Sequence, residues 1–279
     1  MREIHIDEII NTVQKLCIEA CCYLNGDVKD LLNKAFSNEK SELGKNILQQ
    51  IQQNIHIAET ENIPLCQDTG MAVVFLDIGQ DVHITGGSLD QAINEGVRRG
   101  YELGFMRKSV LDPITRINTK DNTPAVIHYN IVKGDKLRIT VAPKGFGSEN
   151  MSSLKMLKPS QGIEGVKEFV LDTVLKAGAS PCPPIIVGVG IGGTMEKAAL
   201  MAKQAILRKA GMPNRDPNIA QLERELLELI NKSGIGPQGL GGTTTALAVH
   251  VETYPTHIAG LPVAVNMQCH VARHRQAIL

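Results

Sequence analysis

The chain has 279 residues, 43% of them apolar, with 29 Lys and Arg balanced by 29 Asp and Glu, no Trp and only 3% aromatics. Such a chain offers neither the basic field nor the stacking platforms on which nucleic acid binds, and nothing that draws it to an anionic membrane surface. No stretch approaches the roughly 20 apolar residues of a membrane span, and six cysteines behind an N-terminus that does not read as a secretory signal point to a reducing cytoplasm, with thiols reduced or metal-bound.

In chain order, Ile6–Leu24 places Ile9, Ile10, Val13, Leu16, Cys17, Ala20 and Cys21 on one helical face, which makes Cys17 and Cys21 small packing residues. Asn25-Gly26 stops that helix. Val28–Phe36 and Glu42–Glu59, the latter opened by Ser41, predict two more helices and complete a helical layer over residues 1–60. From Ile63 onward strands, glycine turns and helices alternate. Met71–Ile78 reads as a strand, and Ser88–Arg107 as a helix capped by Ser88 with Ala92, Val97 and Leu103 inward. Ala125–Val132 and Lys136–Ala142 flank Lys133-Gly134-Asp135 as a β-hairpin. Gly165–Lys176, Met195–Lys209 and Ile219–Ser233 are predicted helical; Pro184–Val189, Thr245–Glu252 and Pro262–Asn266 are predicted strands. The pattern predicts an α+β fold: one domain over 1–279, its mixed α/β part (61–279) behind the helical layer.

Three cysteines stand apart from the helical ones. Cys66, Cys182 and Cys269 lie in Pro64-Leu65-Cys66-Gln67-Asp68-Thr69-Gly70, Ser180-Pro181-Cys182-Pro183-Pro184 and Asn266-Met267-Gln268-Cys269-His270. Proline, glycine and polar residues surround them where a packing cysteine would have aliphatic neighbours. Three is an odd number for disulfides, but it suits a [4Fe–4S] cluster held by three of its irons with the fourth open to substrate.

Other motifs allow competing chemistry. The stretch Gly188–Thr194 resembles a glycine-rich turn from strand to helix, yet its spacing is not that of a dinucleotide site, so a closely packed helix or carboxylate binding at the helix end fits it better. Gly234–Thr245 holds so many glycines that backbone must approach something closely. A zinc reading arises from His270 and His274, four apart on one helical face beside Cys269, but no paired-cysteine or His-Glu motif supports it. His257, between Pro255-Thr256 and Gly260, is placed for proton transfer.

Taken together, Cys66–Gly70, Arg107–Pro113, Lys144–Asn150, Cys182–Pro184 with Gly188–Gly193, Gly234–Gly242 and Cys269–His274 occur in one order that resembles the α subunit of the class I, iron–sulfur fumarate hydratases, with L(+)-tartrate dehydratase α as a close relative. The resemblance implies a [4Fe–4S] cluster on Cys66, Cys182 and Cys269, and a hydro-lyase that hydrates fumarate to L-malate, a step of the tricarboxylic acid cycle. It also implies that Gln67, Arg107 and Gly147 bind the dicarboxylate substrate while Asp68 and His257 handle protons. Single-chain members continue into a further domain with more site residues, whereas this chain ends soon after Cys269. The resemblance therefore implies a partner β subunit, in an α₂β₂ assembly. Tartrate dehydratase, a methylfumarate hydratase and a non-catalytic iron–sulfur sensor remain as alternatives.

Overall fold

The computed structural model describes residues 2–279. Its elements run β1 (Arg2–His5), α1 (Ile6–Cys22), α2 (Gly26–Asn38), α3 (Glu42–Glu61), β2 (Met71–Gly79), β3 (Val82–Thr85), α4 (Leu89–Leu103), β4 (Val126–Val132) and β5 (Leu137–Lys144). They continue with α5 (Phe146–Glu149), β6 (Ser153–Leu157), α6 (Gly162–Ala177), β7 (Ile185–Gly192), α7 (Met195–Ala205), α8 (Pro217–Asn231), β8 (Ala246–Tyr254), β9 (Leu261–Gln268) and β10 (Arg275–Ile278). The mixture of helices with sheets of both parallel and antiparallel pairing is α+β, as the alternating pattern predicts. Among the described residues, no helix is long and apolar enough to cross a membrane. The chain forms two compact units, one of residues 1–24, 54–146 and 273–279, the other of 25–53 and 147–272.

In the first unit a four-stranded sheet runs β10-β5-β2-β4. Strand β2 lies between β5, antiparallel to it, and β4, parallel to it. The predicted hairpin is therefore split. Its strands are separated by β2, and its turn passes over the end of that strand: the N–H of Gln80 donates to Val132 O at 2.8 Å and that of Asp81 to Gly134 O at 3.0 Å. A Gly-Asp turn signals a reversal of the chain, not which strand lies beside which. Alternation along β2 points Ala72, Val74 and Leu76 into a core shared with Ile9, Val13, Leu16, Cys17 and Cys21 of α1 and with Ala92, Ile93 and Val97 of α4. Helices α1 and α4 approach closely because α4 presents Gly96 and Gly100 one turn apart. A Cβ on Gly96 would stand 2.7 Å from Val13 Cβ, and one on Gly100 2.8 Å from Cys17 Cβ. Ser88 caps α4 as expected, its hydroxyl accepting the N–H of Gln91. The helix ends sooner than expected, at Leu103. That side chain is exposed rather than inward, because the turn at Gly104 breaks the periodicity there.

The second unit is built on the sheet β6-β9-β7-β8. Helices α6 and α8 cover one face with Val166, Val170, Val174, Leu222, Leu226 and Ile230, against Ile185, Val187 and Val189 of β7. The alternate positions of β7 face α7. A Cβ on Gly188 would stand 2.2 Å from Ala202 O, and one on Gly190 2.1 Å from Ala198 O. The Gly188–Gly192 stretch is thus strand rather than turn, and its glycines make room for a helix packed close to the sheet.

Candidate metal centre

The first unit holds the Cys66 loop. It leaves α3 at Asn62, whose φ of 54° is left-handed, and is tied back when the Leu65 N–H donates to Cys21 O at 2.9 Å. Cys66 is half-buried and Gln67 exposed. Both carboxylate oxygens of Asp68 accept backbone donors, Oδ1 from Gly70 and Oδ2 from Phe146, each at 2.9 Å. The buried Tyr101 hydroxyl lies 2.9 Å from Thr69 O and 3.1 Å from Gly70 O, and Asn122 Nδ2 donates to Gly70 O at 3.2 Å. Arg273 Nη2 donates to Asp68 O, and Arg273 Nε to Pro143 O at 3.3 Å. The Thr69 hydroxyl donates to Arg107 O at 3.0 Å, which fixes the backbone at Arg107 next to this loop and leaves its guanidinium exposed.

The second unit brings the loops of Cys182 and Cys269 together through His270. Cys182 is exposed, at a left-handed φ of 55° unusual for a residue with a side chain. His270 lies against its backbone, the ring Nδ1 3.0 Å from Cys182 O. The loop Gly234–Gly242 braces the pair from beside: the Gln238 N–H donates to Pro183 O at 2.8 Å. A Cβ on Gly239 would stand 2.3 Å from Ala179 Cβ, so the many glycines serve a close backbone approach. Gly147 belongs to the same neighbourhood, 3.4 Å from Ser180 O when extended by a Cβ. His257 is exposed, with its Nδ1 accepting the Ala259 N–H at 3.2 Å. Its neutral form therefore carries the proton on Nε2. The helical face expected for His270 and His274 is absent, since residues 269–274 are irregular and lead into β10. Pairing of β10 with β5 requires extended backbone there.

The six cysteines divide by environment. Burial pushes the Cys17 thiol well up, aided by Cys21; it pushes Cys21 to about 11 and raises Cys22. Those three are packing thiols held in the protonated form. Cys66, Cys182 and Cys269 reach the surface in loops, and three accessible thiols of this kind fit the donor chemistry of an iron–sulfur cluster. Among the described residues no three His, Cys, Asp or Glu side chains are already gathered at metal-holding distance. Sequence reasoning missed Tyr101, Asn122 and Gln238 as supports of these loops. Gln238 had a signal in its glycine-rich surroundings; Tyr101 and Asn122 had none, as their partners are backbone carbonyls remote in sequence.

The family described as Fumarate hydratase (Fumerase) matches residues 10–278. A protein of Methanocaldococcus jannaschii, named provisionally as an L(+)-tartrate dehydratase subunit alpha, is 48% identical over 268 residues, covering 94% of each chain. The L(+)-tartrate dehydratase alpha subunits of Escherichia coli and Shigella sonnei are each 34% identical over 257 residues, 91% of this chain and 84% of theirs.

Proposed function

Because the chain belongs to the Fumarate hydratase (Fumerase) family, and is a hydro-lyase by that family and by its relatives' names, we propose that it is the α subunit of a two-chain enzyme that reversibly hydrates fumarate to L-malate. The observation that carries this reading is the junction of the Cys182 and Cys269 loops through His270, within a match that spans nearly the whole chain. Cys66, Cys182 and Cys269 would hold a [4Fe–4S] cluster. Bound through three thiolates, such a cluster supplies a Lewis-acidic iron that polarises the substrate's oxygens.

The protein's own groups would do the rest. Arg107, held at its carbonyl by Thr69, extends a guanidinium suited to bidentate pairing with a substrate carboxylate. Gln67 offers an exposed amide beside Cys66, and Gly147 offers backbone unobstructed by a side chain. Asp68, fixed by two backbone donors, keeps lone pairs free to accept a proton. His257 presents Nε2–H to solvent while Ala259 occupies Nδ1, so it can donate from Nε2. This pair would move the proton that is added to the double bond. A β subunit in an α₂β₂ assembly would supply the remaining site residues, in accord with relatives named as alpha subunits.

The names of those relatives favour a second reading, dehydration of L(+)-tartrate, which uses the same carboxylate grip and loss of water. Anaerobic reconstitution with iron and sulfide, followed by assays with the partner subunit, separates the two. The larger kcat/KM, for fumarate hydration or for tartrate dehydration, identifies the substrate. Failure to take up a cluster with the partner present would sink both readings, and a cluster without turnover of either would leave a sensor.

A further inference from the structure

We infer that Gln238 is a positioning residue that sets the spacing of the Cys182 and Cys269 loops. Its backbone N–H donates to Pro183 O at 2.8 Å, and its side-chain Nε2 donates to the same oxygen at 2.7 Å. The same Nε2 lies 3.2 Å from His270 Nδ1, and that ring nitrogen is 3.0 Å from Cys182 O. One amide thus reaches the residue after Cys182 and the residue after Cys269. Whichever way the imidazole proton sits the bridge closes: a protonated Nδ1 donates to Cys182 O, and a bare one accepts from Gln238.

The backbone supplies a second, independent argument. Gln238 adopts φ 52° and ψ 18°, a left-handed conformation that glycine enters without cost. Its neighbours Gly236 and Gly239, also at positive φ, are glycines with no room for a Cβ. A residue with a side chain at a position where a glycine would be easier, in a loop otherwise given glycines at positive φ, indicates that the side chain has a task. Around it the fit is close. Ala179, against which Gly239 presses, accepts the Cys182 N–H at 3.0 Å, so the loop sets both the height and the direction of the Cys182 backbone.

The inference rests on the cysteine assignment above only where it concerns the cluster; the spacing of the two thiols is testable without it. Two variants separate amide from backbone. Gln238→Met keeps the length and removes the donor, while Gln238→Gly removes the side chain and relieves the left-handed strain. The full chain is reconstituted anaerobically, and iron release to a chelator is followed by the loss of the cluster absorbance. In parallel, the cluster-free chain is treated with a short thiol-to-thiol cross-linker, and the Cys182–Cys269 product is quantified by peptide mapping. Both variants are expected to release iron about 10- to 100-fold faster than wild type, the range for loss of a group that orients metal ligands. Both should give less of the cross-linked product, with an unfolding midpoint in urea close to wild type for at least the glycine variant. Wild-type release and cross-linking in both variants overturns the inference. So does a defect in the methionine variant alone, which would trace the effect to packing rather than the amide. A wild-type chain that takes up no cluster even with the partner subunit present sinks the proposed function instead, and the cross-linking yields still decide the role of Gln238.

Discussion

Glu39 Oε2 accepts the backbone N–H of Thr244 at 2.9 Å, across 205 positions of sequence. Its Oε1 takes Thr243 N at 2.8 Å and the Thr243 hydroxyl at 3.0 Å, along with the N–H groups of Lys40 and Ser41. The residue is 2% exposed. It anchors the far end of the glycine loop whose near end carries Gln238.

Burial by itself would raise the Glu39 carboxyl above its ordinary 4.5, but the donors from Thr243, Ser41 and Thr244 outweigh it and hold the group at about 2. A folded value below the unfolded one means that the stabilisation is complete above the unfolded value and is lost as pH falls towards the folded one. The wild type should therefore lose stability between about pH 4.5 and pH 2 more steeply than Glu39→Gln, which has no charge to lose. At neutral pH Glu39→Ala should cost about 3 kcal/mol, because buried N–H groups lose a charged acceptor. Urea unfolding across this pH range tests both; parallel pH curves for wild type and Glu39→Gln would contradict the assignment.

The Tyr101 hydroxyl serves the carbonyls of Thr69 and Gly70 from a fully buried position. Tyr101→Phe should destabilise the chain by about 1–3 kcal/mol through those two carbonyls and loosen the loop that carries Cys66. Amide hydrogen exchange at residues 66–70 should quicken. Unchanged exchange there, whatever the stability, would show that Asn122 and Arg273 hold the loop without it.

Gly190 has no space for a methyl group, since a Cβ would stand 2.1 Å from Ala198 O and 2.8 Å from Ala202 N. These are backbone atoms and cannot rotate away. Gly190→Ala should push α7 off the sheet and cost about 3 kcal/mol or more, at the upper end of overpacking effects. Gly26→Ala is the control: nothing lies within 4 Å of its added Cβ, and helix α2 begins there, so the change should be neutral or stabilising by up to about 1 kcal/mol. Equal midpoints for the two variants in thermal unfolding would refute the close-packing account of β7.

Cys66→Ser, Cys182→Ser and Cys269→Ser should each abolish the absorbance near 400 nm of the reconstituted chain, as the proposed ligand set requires. Cys17→Ser should keep the absorbance but lower stability, because that thiol is fully buried between α1 and α4, where Gly100 makes room for it. A cluster retained in any of the three loop variants would remove that cysteine from the ligand set.

Much of this was legible in the residues. Period 3.6 marked α1, and the Ser88 cap marked the start of α4, because these signals arise from contacts within one helix. Chemistry marked Cys66, Cys182 and Cys269 as loop thiols and Cys17 and Cys21 as packing ones, because a cysteine's neighbours in sequence report its local environment. The short strands β1, β3, β6 and β10 gave no pattern, as four or five residues hold too few alternations to stand out.

Sequence by itself therefore determined the family, the α+β mixture and which thiols stand in open loops, since each depends on local pattern or on ordered motifs. Only the tertiary structure decided that β2 divides the expected hairpin, that Gly188 and Gly190 make room for a helix rather than a ligand, and that Gln238 and Glu39 clamp the glycine loop. These outcomes depend on backbone donors and acceptors brought together from distant parts of the chain. Every residue carries the same amide and carbonyl, so no side-chain pattern announces where they will meet.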